Sequence, residues 1–447
     1  MRYNPFHRCI TLVLGLCEWF RWFFDNYILK WKGVFLMNIH PRMLYTYVGA
    51  DSHRDTHTLV FLNCFHEKIG EMTIANVPGE FSSFLKRAKK FLQPDTTFVF
   101  GFEDCTAYGR SLVKFLVEKG YSVKHINAVR VATERGSTLN KTDSQDAECC
   151  AKVLINEFDK LPNANPQDKY WTLGNLVSRR DAIVKINVML KNSLHHALAE
   201  HYPHYKKFFS NLIVKSALDF YEQFPAPYLL DGMHADELYQ FMKAHCQGRL
   251  SMEKALLILE TIKRDNVPKT EYQDMKDFYI RSLIRQIKSN LAELAAIDVQ
   301  IEKLMTEFDY PLTTMKGINT LTAAQLITEI GDINRFKSAA SLAKFAGVAP
   351  FTYASGMSKL ELANAKGNRK LNELTFRIAL SAISPIGNNK MLLNHILHDY
   401  HKKKMSEGKV KNQATKCVQR RLINIIYGMM KHNKPYINPE VRYLTQD

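Results

Sequence analysis

Residues 45–63, YTYVGADSHRDTHTLVFLN, decide how this chain begins to fold. Tyr45 to Ala50 is a short apolar run that reads as a buried strand running into Asp51. Thr56 to Asn63 is a second apolar run, and Glu67 to Ala75 a third. The gaps between them are too short for crossover helices, so the three strands form an antiparallel meander. Working outward, Pro78 to Leu92 has helical spacing, with Phe81, Phe84, Leu85, Ala88 and Phe91 on one face. Thr97 to Phe102 is a buried strand that ends at Glu103. Tyr108 to Lys119 is a helix closed by Gly120, and Ser122 to Ile126 a further strand.

The order β-β-β-α-β-α-β is that of an α/β ribonuclease H-like (RuvC-like) domain, a mixed five-stranded sheet with helices on its faces, and places it over residues 44–165. Residues 166–309 read as a helical and coiled-coil region. Leu173, Leu176, Val177, Ile183, Val184, Leu190, Leu194 and Leu198 give one helix. Ile280, Ile287, Leu294, Ile301 and Phe308 follow at intervals of seven, with Ile284, Leu291 and Met305 at the +4 positions. Such a heptad fits a coiled-coil seam between copies, or a long helix packed inside its own chain. Residues 310–395 form a C-terminal helical unit. Its segment Lys316-Gly317-Ile318, before Leu321-Thr322-Ala323-Ala324, looks like a helix-hairpin-helix whose glycine turn offers N–H groups to a DNA phosphate. Residues 396–447 read as a basic tail.

The chain has 447 residues and a net charge of +17, a balance that favours a polyanionic partner, nucleic acid before membrane. Residues 1–43 are an extension of uncertain role. Cys9 to Met37 is apolar, but Glu18, Arg21, Asp25, Lys30 and Lys32 interrupt it, so no membrane span is expected. Eight cysteines without a C-x-x-C pair suggest neither a disulfide framework nor zinc, and fit a cytoplasmic protein. His53 and His57 flank a strand turn and read as solvated turn histidines.

Four carboxylates carry the chemistry. Asp51 and Glu103 end the first and fourth strands, which are neighbours in such a sheet. Asp143 and Asp146 lie three apart at the start of a helix, hence on one face. Each alone reads as a turn cap or a helix-dipole acid. As a set they can hold two Mg²⁺ or Mn²⁺ ions, the clamp used for in-line displacement at phosphorus.

The segments YVGADSHRDTH, FEDCTAYG and KTDSQDAECCAKVL resemble the DEDD domain of the insertion sequence 110 family of transposases, relatives of the Piv-type DNA invertases. MKGINTLTAAQLITEIGDINRFKSAASLAKFAGVAPFTYASGMSK and AKGNRKLNELTFRIAL resemble that family's C-terminal transposase domain. The resemblance implies a transposase or recombinase whose DEDD acids are Asp51, Glu103, Asp143 and Asp146. Its serine nucleophile maps to Ser355, in Ala354-Ser355-Gly356, with Ser358 as a nearby rival. It implies DNA as substrate, Mg²⁺ or Mn²⁺ as cofactor and a homo-oligomer, dimer or tetramer. A structured guide RNA from the same element is a further candidate partner. Lys316, Gly317, Lys366, Asn368, Arg369 and Lys370 are the expected nucleic-acid contacts. The rival readings are a nuclease or junction resolvase that uses water, and a decayed copy that only binds nucleic acid. Ser355 follows the last acid across a helix of about 30 residues, roughly 45 Å long. The expected site is therefore composite, acids from one protomer and serine from another.

Overall fold

The computed structural model describes residues 40–437, apart from 137–141, 165, 246–250, 356–357, 363, 365–366, 386 and 388–390. The expectations for residues 1–39 and for Lys366 therefore lie outside the described residues. The chain divides into two compact units, Met1–Gln167 and Asp168–Asp447.

The first unit holds β1 (Tyr45–Ser52), β2 (Thr56–Leu62), β3 (Lys68–Ala75), α1 (Pro78–Ala88), β4 (Thr97–Phe102), α2 (Arg110–Glu118), β5 (Ser122–His125), α3 (Ala128–Arg135) and α4 (Asp143–Glu157). The sheet order is β3-β2-β1-β4-β5. β1 pairs antiparallel with β2 and parallel with β4, and β4 parallel with β5. This mixed five-stranded sheet is the arrangement expected of a ribonuclease H-like domain.

Strand alternation gives the sheet two buried faces. Val48, Ala50, Leu59, Phe61, Phe98, Phe100 and Phe102 share a core with Phe81 and Phe84 of α1 and Leu112 and Leu116 of α2. Tyr47, Val60, Leu62 and Val99 share the other with Val131 of α3 and Ala147, Ala151 and Leu154 of α4. Gly49 and Gly101, partners in the β1–β4 ladder, lie on this second face by alternation. A Cβ on Gly49 would stand 2.1 Å from the Ala147 carbonyl oxygen and 2.3 Å from the Ala151 nitrogen. The bare glycine lets α4 lie directly on β1.

In the second unit, α5 (Asp168–His201) is followed by α6 (Lys215–Gln223), α7 (Ala235–His245), α8 (Met252–Asp265) and α9 (Gln273–Met305). Then come α10 (Thr320–Ile330), α11 (Ala339–Phe345), β6 (Phe351–Ser355), β7 (Ser358–Leu362), α12 (Arg369–Ile383), α13 (His395–Ser406) and α14 (Lys411–His432). α5 and α9 are antiparallel. Tyr170 stacks edge-on with Phe308, Arg180 makes a bidentate pair with Asp298 (2.5 and 3.2 Å), and Asn187 meets Asn290 at 2.8 Å. The heptad is therefore buried within its own chain. Ile280, Ile284 and Ile287 pack with Leu194 and Leu198 of α5 and with α6–α8, while Ile301 and Phe308 pack with Leu173 and Val177. The hairpin runs out and back, bringing Tyr310 to Tyr170, so helix length sets no separation between the acids and the serine.

The C-terminal unit is not wholly helical, because β6 and β7 form an antiparallel hairpin. The basic segment after residue 395 folds as α13 and α14: Lys402 and Lys403 are exposed, while Val418, Leu422, Ile423, Ile426 and Met429 of α14 are buried in the core of the second unit. No helix among the described residues is long and apolar enough to cross a membrane.

Candidate active site

The second face of the sheet carries its chemistry where β1 and β4 run out. Asp51 follows Gly49 by two residues within β1, so alternation aims it toward the side that α4 covers, and Glu103 stands one residue beyond the end of the neighbouring β4. Burial pushes the Cys150 thiol of α4 up to about 12, and the Glu103 and Asp51 carboxylates push it the same way. α4 opens on Thr142, whose hydroxyl caps the Gln145 N–H, and its first turn holds Asp143 and Asp146. Seating α4 on Gly49 brings that turn to the end of β1.

Asp143 and Asp146 do different things there. The Asp143 side chain is exposed, and one oxygen lies 3.2 Å from His53 Nε2. The same nitrogen lies 3.1 Å from an Asp51 oxygen. One ligand atom from each of Asp51, His53 and Asp143 falls within 4.8 Å of the others. Asp146 is nearly buried and pairs with Arg135 at the end of α3. Asp51 feels the crowding: burial, then the charges of Asp143 and Asp146, raise its carboxyl above the usual range against the pull of His53. These donors fit a divalent cation. They are hard carboxylate oxygens at one point, with the His53 ring nitrogen beside both.

Sequence reasoning missed the fittings of this site. His53 is no idle turn residue. His57 is not solvated at all: it is fully buried beside Phe81, with Nδ1 3.1 Å from Ser52 Oγ, and burial lowers its pKa. Asp104, next to Glu103, is a loop former. Burial alone would raise its carboxyl, but N–H groups of Ala107, Thr106 and Gly109 hold it below the usual range. Asn76 joins the two loops at the strand ends. Its Nδ2 lies 3.3, 3.2 and 3.0 Å from the carbonyls of His53, Arg54 and Tyr108, and its Oδ1 accepts from Ser111. A lone Asn after a strand carries no signal of such a duty.

In the second unit, Ser355 ends β6 and is the ladder partner of Ser358, which opens β7. Lys316 and Gly317 form a turn, with Gly317 at φ +94°, before α10. A 3-10 turn, Leu312–Thr314, stands where a first helix was expected, and Asn319 caps α10 by accepting from Thr322. Asn368 accepts from the Leu371 N–H and donates to Glu329, so both ends of its amide serve the fold. Arg369 and Lys370 open α12 and are exposed.

A mixed sheet with carboxylates at the ends of adjacent strands, followed by a helical unit, is the arrangement expected of the DEDD class of transposases. The DEDD transposase model of the IS110 type matches residues 48–203, and the model described as transposase of the IS116/IS110/IS902 family matches residues 309–391. The 43.6 kDa protein of insertion element IS110 from Streptomyces coelicolor is 29% identical over 36% of this chain and 38% of its own length. The 44.8 kDa protein of insertion element IS116 from Streptomyces clavuligerus is 21% identical over 87% of this chain and 95% of its own length. The pilin gene-inverting protein of Moraxella lacunata is 27% identical over 39% of this chain and 55% of its own length. The chain belongs to the IS110 family of transposases, enzymes that cleave and rejoin DNA.

Proposed function

We propose that the chain recombines DNA through Ser355, with Asp51, Glu103, Asp143 and Asp146 holding the metal that stabilises the attacked phosphate. The observation that carries this reading is the gathering of Asp51, Asp143 and Asp146 at one end of the sheet, with Glu103 directly after the end of the neighbouring strand β4. A bound Mg²⁺ or Mn²⁺ ion would draw charge from the phosphate oxygens. The Ser355 hydroxyl oxygen attacks phosphorus and gives up its proton, and the leaving DNA oxygen takes one. The product is a phosphoserine ester. Attack by a hydroxyl of the second DNA end reverses the step, restores Ser355 and forms the new phosphodiester. One ester is exchanged for another, so no ATP is needed.

Lys316, Gly317, Arg369 and Lys370, with Lys366, grip the DNA backbone in this reading. A structured RNA from the same element selects the site, copies pair as a dimer or tetramer, and the reaction takes place in the cytoplasm. The test is to incubate the chain and any co-purifying RNA with element-end DNA and Mg²⁺, then look for protein–DNA adduct and recombined product. Ser355→Ala should abolish the adduct and Ser358→Ala should keep it. Cleavage without adduct would favour the water-using nuclease, and DNA binding without cleavage a decayed copy.

A further inference from the structure

We propose that His53 is itself a metal ligand, completing with Asp51 and Asp143 a mixed oxygen–nitrogen site that takes Mn²⁺ in preference to Mg²⁺. The inference rests on the metal reading of the acids above. It adds a residue outside the four carboxylates and a choice of ion.

His53 Nε2 lies 3.1 Å from Asp51 and 3.2 Å from Asp143, so a cation bound by both oxygens meets this nitrogen as its third donor. The placement does not depend on a swinging side chain alone. The His53 N–H donates to the Thr56 carbonyl at 2.9 Å, and the His53 carbonyl lies within reach of the Asn76 amide. Asn76 also holds the Tyr108 carbonyl, which fixes this turn against the loop that follows Glu103. The neighbouring cation, Arg54, is drawn off to Asp55 at 3.1 Å, leaving the imidazole to face the two carboxylates.

The chemistry then selects the ion. Mg²⁺ demands a near-ideal octahedron of oxygens and sheds water reluctantly. Imidazole nitrogen suits transition metals better than Mg²⁺, and Mn²⁺ keeps the carboxylate preference that the other donors require. A site with one nitrogen among oxygens therefore separates two ions that an all-carboxylate cluster would treat more alike.

The experiment reads the metal directly. Full-length protein is titrated with Mn²⁺ and with Mg²⁺, following the melting temperature, and the Mn²⁺ form is examined by pulsed electron paramagnetic resonance. The wild type should show ¹⁴N coupling to Mn²⁺ that changes when the histidines are labelled with ¹⁵N. His53→Ala should abolish that coupling. It should raise the half-saturating Mn²⁺ concentration about 10-fold and shift that of Mg²⁺ by no more than about 2-fold. Asn76→Ala should give a smaller loss in the same direction. Bound Mn²⁺ without nitrogen coupling in the wild type overturns the proposal, and that measurement needs no variant to fold. Equal loss of both ions in His53→Ala overturns it too, since the histidine then acts through charge or fold. A wild-type chain that responds to neither ion removes the metal reading of the acids, and this inference with it.

Discussion

Asp51 carries electrostatic stress from burial and from Asp143 and Asp146, and its titration makes that stress measurable. Its carboxyl is raised by burial and by Asp143 and Asp146, so the folded chain holds this proton to higher pH than the unfolded chain does. Stability attributable to Asp51 therefore falls as pH rises from the usual carboxylate value, about 3.9, through the raised one. Asp51→Asn should melt above the metal-free wild type at neutral pH, and the gap should close below about pH 4. Divalent metal should reverse the order, since it stabilises only the chain that binds it. A variant less stable than wild type at every pH would mean that Asp51 serves the fold. Gly49 offers a test of what seats the acids. Its absent Cβ would collide with α4 backbone at 2.1 Å, so Gly49→Ala should cost about 3 kcal/mol in urea unfolding. It should also blunt the metal response, because Asp143 and Asp146 ride on that helix. A variant of normal stability and metal response would show that α4 can be lifted off the strand at no cost. Asp51 and Glu103 are legible in sequence because both end apolar runs. His53 is not, because its meaning depends on Asp143, ninety residues away.

At the scale of elements, the strands of the first unit were legible and the partners of the helices were not. Apolar runs of six to eight residues bounded by turns leave little choice, and β4 spans Thr97–Phe102 as its sequence implies. A heptad says that a helix buries a seam, but not against which helix. Here the seam of α9 meets α5 of its own chain, with Arg180–Asp298 and Asn187–Asn290 setting the register. Ile284→Ala, at a fully buried position, should cost about 2–5 kcal/mol. The drop in melting temperature should be the same at dilute and concentrated protein. A drop that shrinks with concentration would mean that the seam also joins copies. The β6–β7 hairpin was missed for a local reason. FTYAS and SKLEL are five-residue strands between helices, too short for period-two alternation to stand out. The basic charge of α13 and α14 hid them as well, since Lys402 to Lys404 reads as solvated tail while the buried face of α14 lies further on, from Ala414 to Met430.

For the molecule as a whole, the four acids belong to one compact unit and Ser355 to the other. The long helix between them does not decide whether they act in one protomer, because α9 retraces α5 and returns Tyr310 to Tyr170. The requirement of the reaction is a better guide. If the chemistry runs through Ser355 as proposed, rejoining two duplexes calls for a second phosphoserine when the first forms, and we propose that at least two copies share the DNA. A site divided between copies would keep a lone protomer from cutting. We therefore expect Asp51→Ala and Ser355→Ala proteins, each inactive alone, to regain part of the cleavage activity when subunits are mixed. The adduct should form only on the chain that keeps Ser355. Differently tagged subunits co-purified from the mixture establish that exchange has taken place. With exchange shown, absence of any regained cleavage would place acids and serine of one working site in the same chain. The net charge of +17 bears on the same assay, since contacts between basic side chains and DNA phosphates weaken steeply with salt. Recovery should fall as salt is raised from about 50 to 200 mM together with DNA binding. Cleavage lost at salt concentrations where the DNA stays bound would instead point to separation of the copies.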